Sequence, residues 1–233
     1  MPSKIMALAA HPGDAMFTMG AAVAQHIRQG ASGVFVSLTL GERGSPKDIP
    51  AEKYGEMQRA ATEKAAKLLG AQFELLTYPD AQLPARDEAA FAICDLIRKH
   101  KPSVVLTHWS GSWHKDHQNT HLLVRDGIFY ADLVTIVRRD PPHTVGKQFY
   151  AENWEDEAGF QPDTYLDITP VYEKWLEACD AYPMWRGQTG FFRYHDYYSS
   201  LAVMRGCRAG FRYAVALMTE PTLRIARLRT LDP

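Results

Sequence analysis

Apolar positions in the first 130 residues follow two alternating patterns. Short apolar runs at 5–9, 34–40, 73–78 and 103–107 read as buried strands. Between them, 15–29, 52–69 and 88–100 space their apolar residues at helical intervals, and 118–130 continues the series. Gly30 and Gly70 stop the first two helices, and Pro102 closes off the third. This βαβαβαβ order predicts a Rossmann-like, three-layer α/β sandwich around a mostly parallel sheet. No G-x-G-x-x-G follows the first strand, so no dinucleotide or P-loop nucleotide is expected.

The pattern changes after residue 131. Pro141-Pro142 marks a loop, 148–152 and 164–168 read as strands, and Pro170 suits the first turn of a helix running to Tyr182. An aromatic-rich helix is predicted over 192–205. The chain is read as a single domain, 1–233, with its core in 1–131 and a cap in 132–233.

Composition narrows the function classes. Hydrophobic residues make up 46% and charged residues 23%, which suits a soluble globular protein. The net charge of −1 gives a nucleic acid nothing to bind. Arg205, Arg208, Arg212, Arg224, Arg227 and Arg229 are spread among apolar residues and read as a solvated face or as salt-bridge partners rather than as a nucleic-acid patch. The three cysteines lack C-x-x-C spacing, so neither a disulfide framework nor a cysteine zinc site is expected. The first apolar run is cut short by His11, which excludes a signal peptide or membrane span there and leaves a cytoplasmic location as the expectation. Phe191, Phe192, Tyr194, Tyr197 and Tyr198 read as a packing face, against the core or a second subunit of a homo-oligomer, rather than as a sugar-stacking platform.

The candidate chemistry sits in two segments, Ala10-His11-Pro12-Gly13-Asp14 and His114-Lys115-Asp116-His117, each just beyond a predicted strand. Parallel α/β sheets place their ligands at such strand ends. His11, Asp14 and His117 together suit a divalent metal with an open coordination position. Alternatively, His11 and Asp14 cap the next helix and His117 hydrogen-bonds in a loop. Of the remaining histidines, His108 reads as a packed strand-end residue and His121 as an outer contact of the site. His26, His100, His143 and His195 have no motif around them.

These residues resemble the LmbE/PIG-L family of zinc-dependent de-N-acetylases, which carries A-H-P-D-D-E after its first strand and H-P-D-H or a relative after its fourth. Residues 39–44 and 163–168 resemble the family's second-strand loop and its late segment ending in D-I-T. The resemblance spans about residues 3–205. It implies Zn2+ held by His11, Asp14 and His117, with His114 stabilising an oxyanion and Asp116 orienting a histidine. The implied reaction is hydrolysis of an amide, such as an N-acetyl group on a small molecule, by metal-activated water.

One position departs from the family. Its general base falls at Gly13, and the following Glu is Ala15. Loss of a positioned base costs ~10²–10⁴-fold in rate. Glu42 is the first candidate substitute, ahead of Asp116 and Glu152. Arg43 either holds an anionic substrate group or pairs with Glu42 at the surface. Trp113 and Trp154 are expected to wall the pocket, while 155–157 reads as a surface loop. A minority branch, the 4-oxalomesaconate hydratases, also resembles the chain in G-E-R-G, in D-I-T, in the pair Arg205-Gly206 and in lacking the base. It implies metal-dependent addition of water to an unsaturated keto acid. Retained His114 speaks for the amide hydrolase. A non-catalytic member that binds a ligand through its metal is the third possibility left by Gly13.

Overall fold

The computed structural model describes residues 3–156 and 158–221. Five strands run parallel: β1 (Lys4–Ala9), β2 (Ser32–Ser37), β3 (Gln72–Leu75), β4 (Val104–His108) and β5 (Lys147–Ala151). Helices α1 (Pro12–Arg28), α2 (Ala51–Leu69), α3 (Asp87–His100) and α4 (Lys115–Asp132) follow β1 to β4 in turn. Then come β6 (Thr164–Asp167), α5 (Tyr172–Cys179), α6 (Tyr194–Ala209) and β7 (Ala214–Met218). The seven strands form one sheet in the order β3-β2-β1-β4-β5-β7-β6, with β7 antiparallel to both its neighbours.

Alternate residues of each central strand enter different layers, as the two-residue period of a strand requires. Ile5, Ala7, Ala9, Phe35 and Leu106 meet the apolar sides of α1, α2, α5 and α6. Met6, Leu8, Val34, Val36 and Val105 meet α3 and α4. Because both faces are covered, the strands are apolar throughout, which is why they are legible as short hydrophobic runs. On the first face α5 comes close to α1: a Cβ at Gly20 would lie 2.9 Å from Met16 Sδ and 3.2 Å from Trp175 Cδ1. Trp175 Nε1 donates to Met16 O at 2.9 Å, so the buried indole is satisfied.

The second half differs from expectation in three places. A 3₁₀ turn over Thr169–Val171 precedes α5, which stops at Cys179, and Pro183 opens another 3₁₀ turn; the region is therefore not one helix. The aromatic helix starts at Tyr194 rather than 192. The strand β7 was not anticipated: Ala214-Val215-Ala216-Leu217-Met218 is a short apolar run with one β-branched residue, and periodicity alone does not separate such a run from a helical segment. Of the arginines, Arg205 pairs with Glu152, while Arg208 lies over the Tyr165 ring and Arg212 over Tyr213. Arg224, Arg227 and Arg229 lie outside the described residues. No described helix is long and apolar enough to cross a membrane.

Candidate metal centre

The strand order reverses between β1 and β4, and the two separate beyond the pairs Ile5–Val104 to Ala7–Leu106. A crevice opens at this switch point. Two helices begin there with the same plan. His11, in extended conformation (φ −124°, ψ 155°), precedes α1, and Asp14 lies in its first turn. His114 caps α4, its Nδ1 accepting from Asp116 N at 3.1 Å, and His117 lies in that first turn. Both helix N-termini, with their unpaired N–H groups and positive dipole ends, therefore face one point.

Three donor atoms converge there. Asp14 Oδ2 is 2.9 Å from His11 Nδ1 and 3.0 Å from His117 Nε2, and the two nitrogens are 3.3 Å apart. The outer nitrogens face acceptors. His11 Nε2 is 3.0 Å from Asp80 Oδ1 and 3.7 Å from Asp116 Oδ2. His117 Nδ1 is 2.9 Å from Glu155 Oε2 and 3.1 Å from Ser112 Oγ. Carboxylates hold the imidazole protons on those outer edges, so in the neutral rings the inner edges present lone pairs to the Asp14 carboxylate. Three acceptors at such distances repel one another unless a cation or extra protons sit among them. The side chains thus fit a divalent ion with N/O preference.

The electrostatics of the cluster make the same demand for positive charge. Burial disfavours the charged His11, but bonds from Asp116, Asp14 and Asp80 outweigh it and raise its pKa well above the ordinary value. Burial likewise opposes charge on His117, yet the Asp14 carboxylate, with help from Glu155, brings it to about 9. For Asp14, burial pushes upward and the two imidazoles prevail, holding it well below the usual carboxylate range. His114 is lowered, by burial first and then by the charges of His11 and His117.

A buried network joins the flanking loops. Ala81, at φ +61°, donates its N–H to Asp80 Oδ1 at 2.8 Å and to Asp116 Oδ2 at 2.7 Å. Asp80 Oδ2 accepts from Arg43 N at 2.9 Å, and Glu42 Oε1 accepts from Asp80 N at 2.9 Å. Glu42 thus reaches His11 only through Asp80. The Arg43 side chain is turned to Gln82, whose amide oxygen, once flipped to face it, accepts from Nη1 and Nη2 at 3.1 and 2.8 Å. On the opposite side Asn153 Nδ2 donates to Asp14 Oδ1 at 3.3 Å.

The donors form the floor of a cleft of about 240 Å³, which His114 and Asp80 also line. Its walls are aromatic: Trp154 stacks on Phe192 (4.1 Å, 24°), with Tyr194 alongside. Trp113, expected to wall the pocket, is half-exposed and edge-on to Trp154 and does not itself line the cleft. Among the described residues no lysine or arginine lines this cleft. Gly13 lines the cleft but leaves a side chain little room: a Cβ there would lie 3.2 Å from Phe17 Cε2 and 3.5 Å from Met184 Sδ.

Three participants were not anticipated in these roles. Asp80 has no motif around it, although its place just beyond the third strand is where a parallel sheet presents functional groups. Glu155 was assigned to a surface loop, but the Ser112–Asp156 bridge folds that loop inward and buries the carboxylate. His108 proves to be stacked on His117.

The sequence model of the family described as PIG-L, GlcNAc-PI de-N-acetylase, matches residues 6–128, and the chain belongs to this family. Its relatives include 4-oxalmesaconate hydratase of Pseudomonas putida KT2440, 26% identical over 88% of this chain and 80% of that protein. Diacetylchitobiose deacetylase of Thermococcus kodakarensis is 25% identical over 94% of this chain and 83% of its own. Among solved structures, the 4-carboxy-2-hydroxymuconate hydratase GalB of Pseudomonas putida KT2440 superposes with a TM-score of 0.86 at 24% identity, covering 98% of each chain. The N,N'-diacetylchitobiose deacetylase of Pyrococcus horikoshii gives 0.80 at 21% identity, covering 99% of this chain and 88% of its own. These structures share the LmbE/PIG-L fold, and the named relatives are enzymes.

Proposed function

We propose that the protein is a zinc-dependent hydrolase that cleaves a C–N amide bond, such as an N-acetyl group, on a small, uncharged, ring-bearing substrate. The observation that carries this reading is the convergence of His11 Nδ1, Asp14 Oδ2 and His117 Nε2 at the floor of an aromatic-walled cleft. His11, Asp14 and His117 would hold the ion. When bound, zinc acts as a Lewis acid that polarises a carbonyl and eases deprotonation of water.

The chain's own groups divide the remaining work. Because His114 Nδ1 accepts the Asp116 N–H, its ring proton sits on Nε2 and its low pKa keeps it neutral. It therefore donates a hydrogen bond to the oxygen on which charge develops, helped by the two helix N-termini. Asp80 is held ionised by His11 against the opposing effect of burial. It lines the cleft behind His11 and is the carboxylate offered there to take up the proton that water gives up, with Glu42 fixing its backbone. Trp154 supplies an apolar wall for the substrate ring.

A second reading is hydration of a C=C bond in an unsaturated keto acid. It is favoured by Gly13, whose side-chain space Phe17 and Met184 crowd, and by the likeness to a hydratase. Among the described residues, those that line the cleft around the donors are aromatic and polar rather than basic, which favours an uncharged substrate.

One experiment separates the two. Zinc-reconstituted protein is offered N-acetyl amino sugars, with acetate and free amine measured, and unsaturated dicarboxylic keto acids, followed by loss of ultraviolet absorbance. Equal amounts of acetate and amine, lost in His117→Ala, support the hydrolase. Absorbance loss alone overturns it in favour of the hydratase. Neither signal, with zinc bound, leaves a ligand-binding role.

A further inference from the structure

Beyond Ala7 and Leu106 the ladder between β1 and β4 ends, and the strands part to make room for the cleft. A buried backbone N–H at such a splay needs a partner. At Ala10 the partner is a side chain: Ala10 N donates to His108 Nε2 at 3.1 Å. The same imidazole, fully buried, stacks on His117 with ring centres 4.0 Å apart and planes at 11°. The His108 carbonyl in turn lies 3.1 Å from His121 Nδ1, which anchors the strand end to α4.

We propose that His108 is a positioning residue for the metal, an imidazole clamp that fixes the backbone in front of His11 with its edge and the ring plane of His117 with its face. The proposal rests on the reading that His11, Asp14 and His117 bind the ion. Since Nε2 accepts, the ring proton is on Nδ1, and His108 is a neutral acceptor that does not itself bind the ion. Phenylalanine would keep the stack and lose the acceptor. Glutamine would keep an acceptor within reach of Ala10 and lose the ring.

The test compares wild type, His108→Phe and His108→Gln. Zinc affinity is read by competition with a chromophoric chelator, ligand geometry by the visible spectrum of the cobalt-substituted protein, and folding by circular dichroism. The expected result is a 10–100-fold weaker zinc affinity and an altered cobalt spectrum in His108→Phe, with His108→Gln, which keeps the edge contact and loses the stack, falling between that variant and wild type. A His108→Phe protein that binds zinc like wild type, with an unchanged cobalt spectrum, overturns the proposal even if its Tm falls, because the role is then only structural. Should His108→Phe fail to fold, the imidazole nitrogens of the wild type decide by ¹H–¹⁵N correlation: a proton on Nδ1 of His108 is expected, and a proton on Nε2 overturns the clamp. A wild type that binds neither zinc nor cobalt removes the metal reading itself.

Discussion

The edge of the Phe17 ring crowds the space into which a side chain at Gly13 would project, with 3.2 Å between Phe17 Cε2 and the nearest Cβ position. The two residues are one turn apart in α1, so the missing carboxylate and the aromatic that crowds its place act as a pair. Gly13→Asp alone is expected to lower stability by about 1–2 kcal/mol through overpacking, with no gain in amide hydrolysis. Gly13→Asp combined with Phe17→Leu makes room, and should raise hydrolysis at least tenfold over the single mutant. Acetate release by the two variants, each with its urea midpoint, checks both statements.

Glu155 and Asp80 hold the outer edges of the two histidines from opposite sides. Glu155→Gln and Asp80→Asn should each retain the fold and weaken zinc binding by roughly 10–100-fold. Chelator competition measures the loss. Affinity unchanged in both variants would show that the ring orientations are set elsewhere.

Arg98 is buried and, among the described residues, is satisfied by main-chain oxygens rather than by a carboxylate. Its Nε bonds to Ala131 O at 3.1 Å, Nη1 to Ile136 O and Asp140 O at 2.9 and 3.3 Å, and Nη2 to Tyr130 O and Leu133 O at 3.0 and 2.9 Å. It closes the carboxyl end of α4 and the loop beyond, where helix carbonyls lack partners. Arg98→Met should cost at least about 3 kcal/mol in urea unfolding, since the carbonyls stay buried and unpaired. Arg98→Lys should recover little, because one ammonium does not reproduce the planar fork.

Asp156 carries a buried oxygen with no hydrogen-bond partner among the described residues, and burial raises its carboxyl pKa to about 7. A carboxyl raised on folding binds its proton more tightly in the native state, so it lowers stability progressively as pH rises from about 4 to 7. Asp156→Asn should therefore stabilise the metal-free protein on the order of 2 kcal/mol at pH 8.5, with the gain fading towards pH 4. Thermal melts of both proteins across that range measure it. A gain that does not change with pH would assign the effect to packing.

Most of the core layout was legible in the sequence because each central strand is covered on both faces and each helix ends on a local signal such as Gly30 or Gly70. His11, Asp14, His114 and His117 were legible for a related reason: they lie within a few residues of strand ends that the pattern already marked. Asp80, Glu155 and His108 were not, because what makes them matter is long-range. Asp80 is a single acid after a strand, Glu155 is one of several acids in a row, and His108 is a lone histidine on an apolar strand. Only the meeting of four separate loops reveals their partners. The strand β7 escaped notice because its residues suit helix and strand alike, and its pairing with β5 and β6 decides between them.

That strand also governs how the sheet closes. Among the described strands β6 pairs with β7 alone, although it precedes it in the chain by some fifty residues. The ladder of Thr164–Asp167 therefore depends on Ala214–Met218, far along the chain, which also pairs with β5. Such distant pairing is slow to form and leaves β5 as an open, adhesive edge in the interval. A polypeptide ending before Ala214 would lose the pairing of two strands rather than one, and a nascent chain presents β5 as an unpaired edge until β7 emerges.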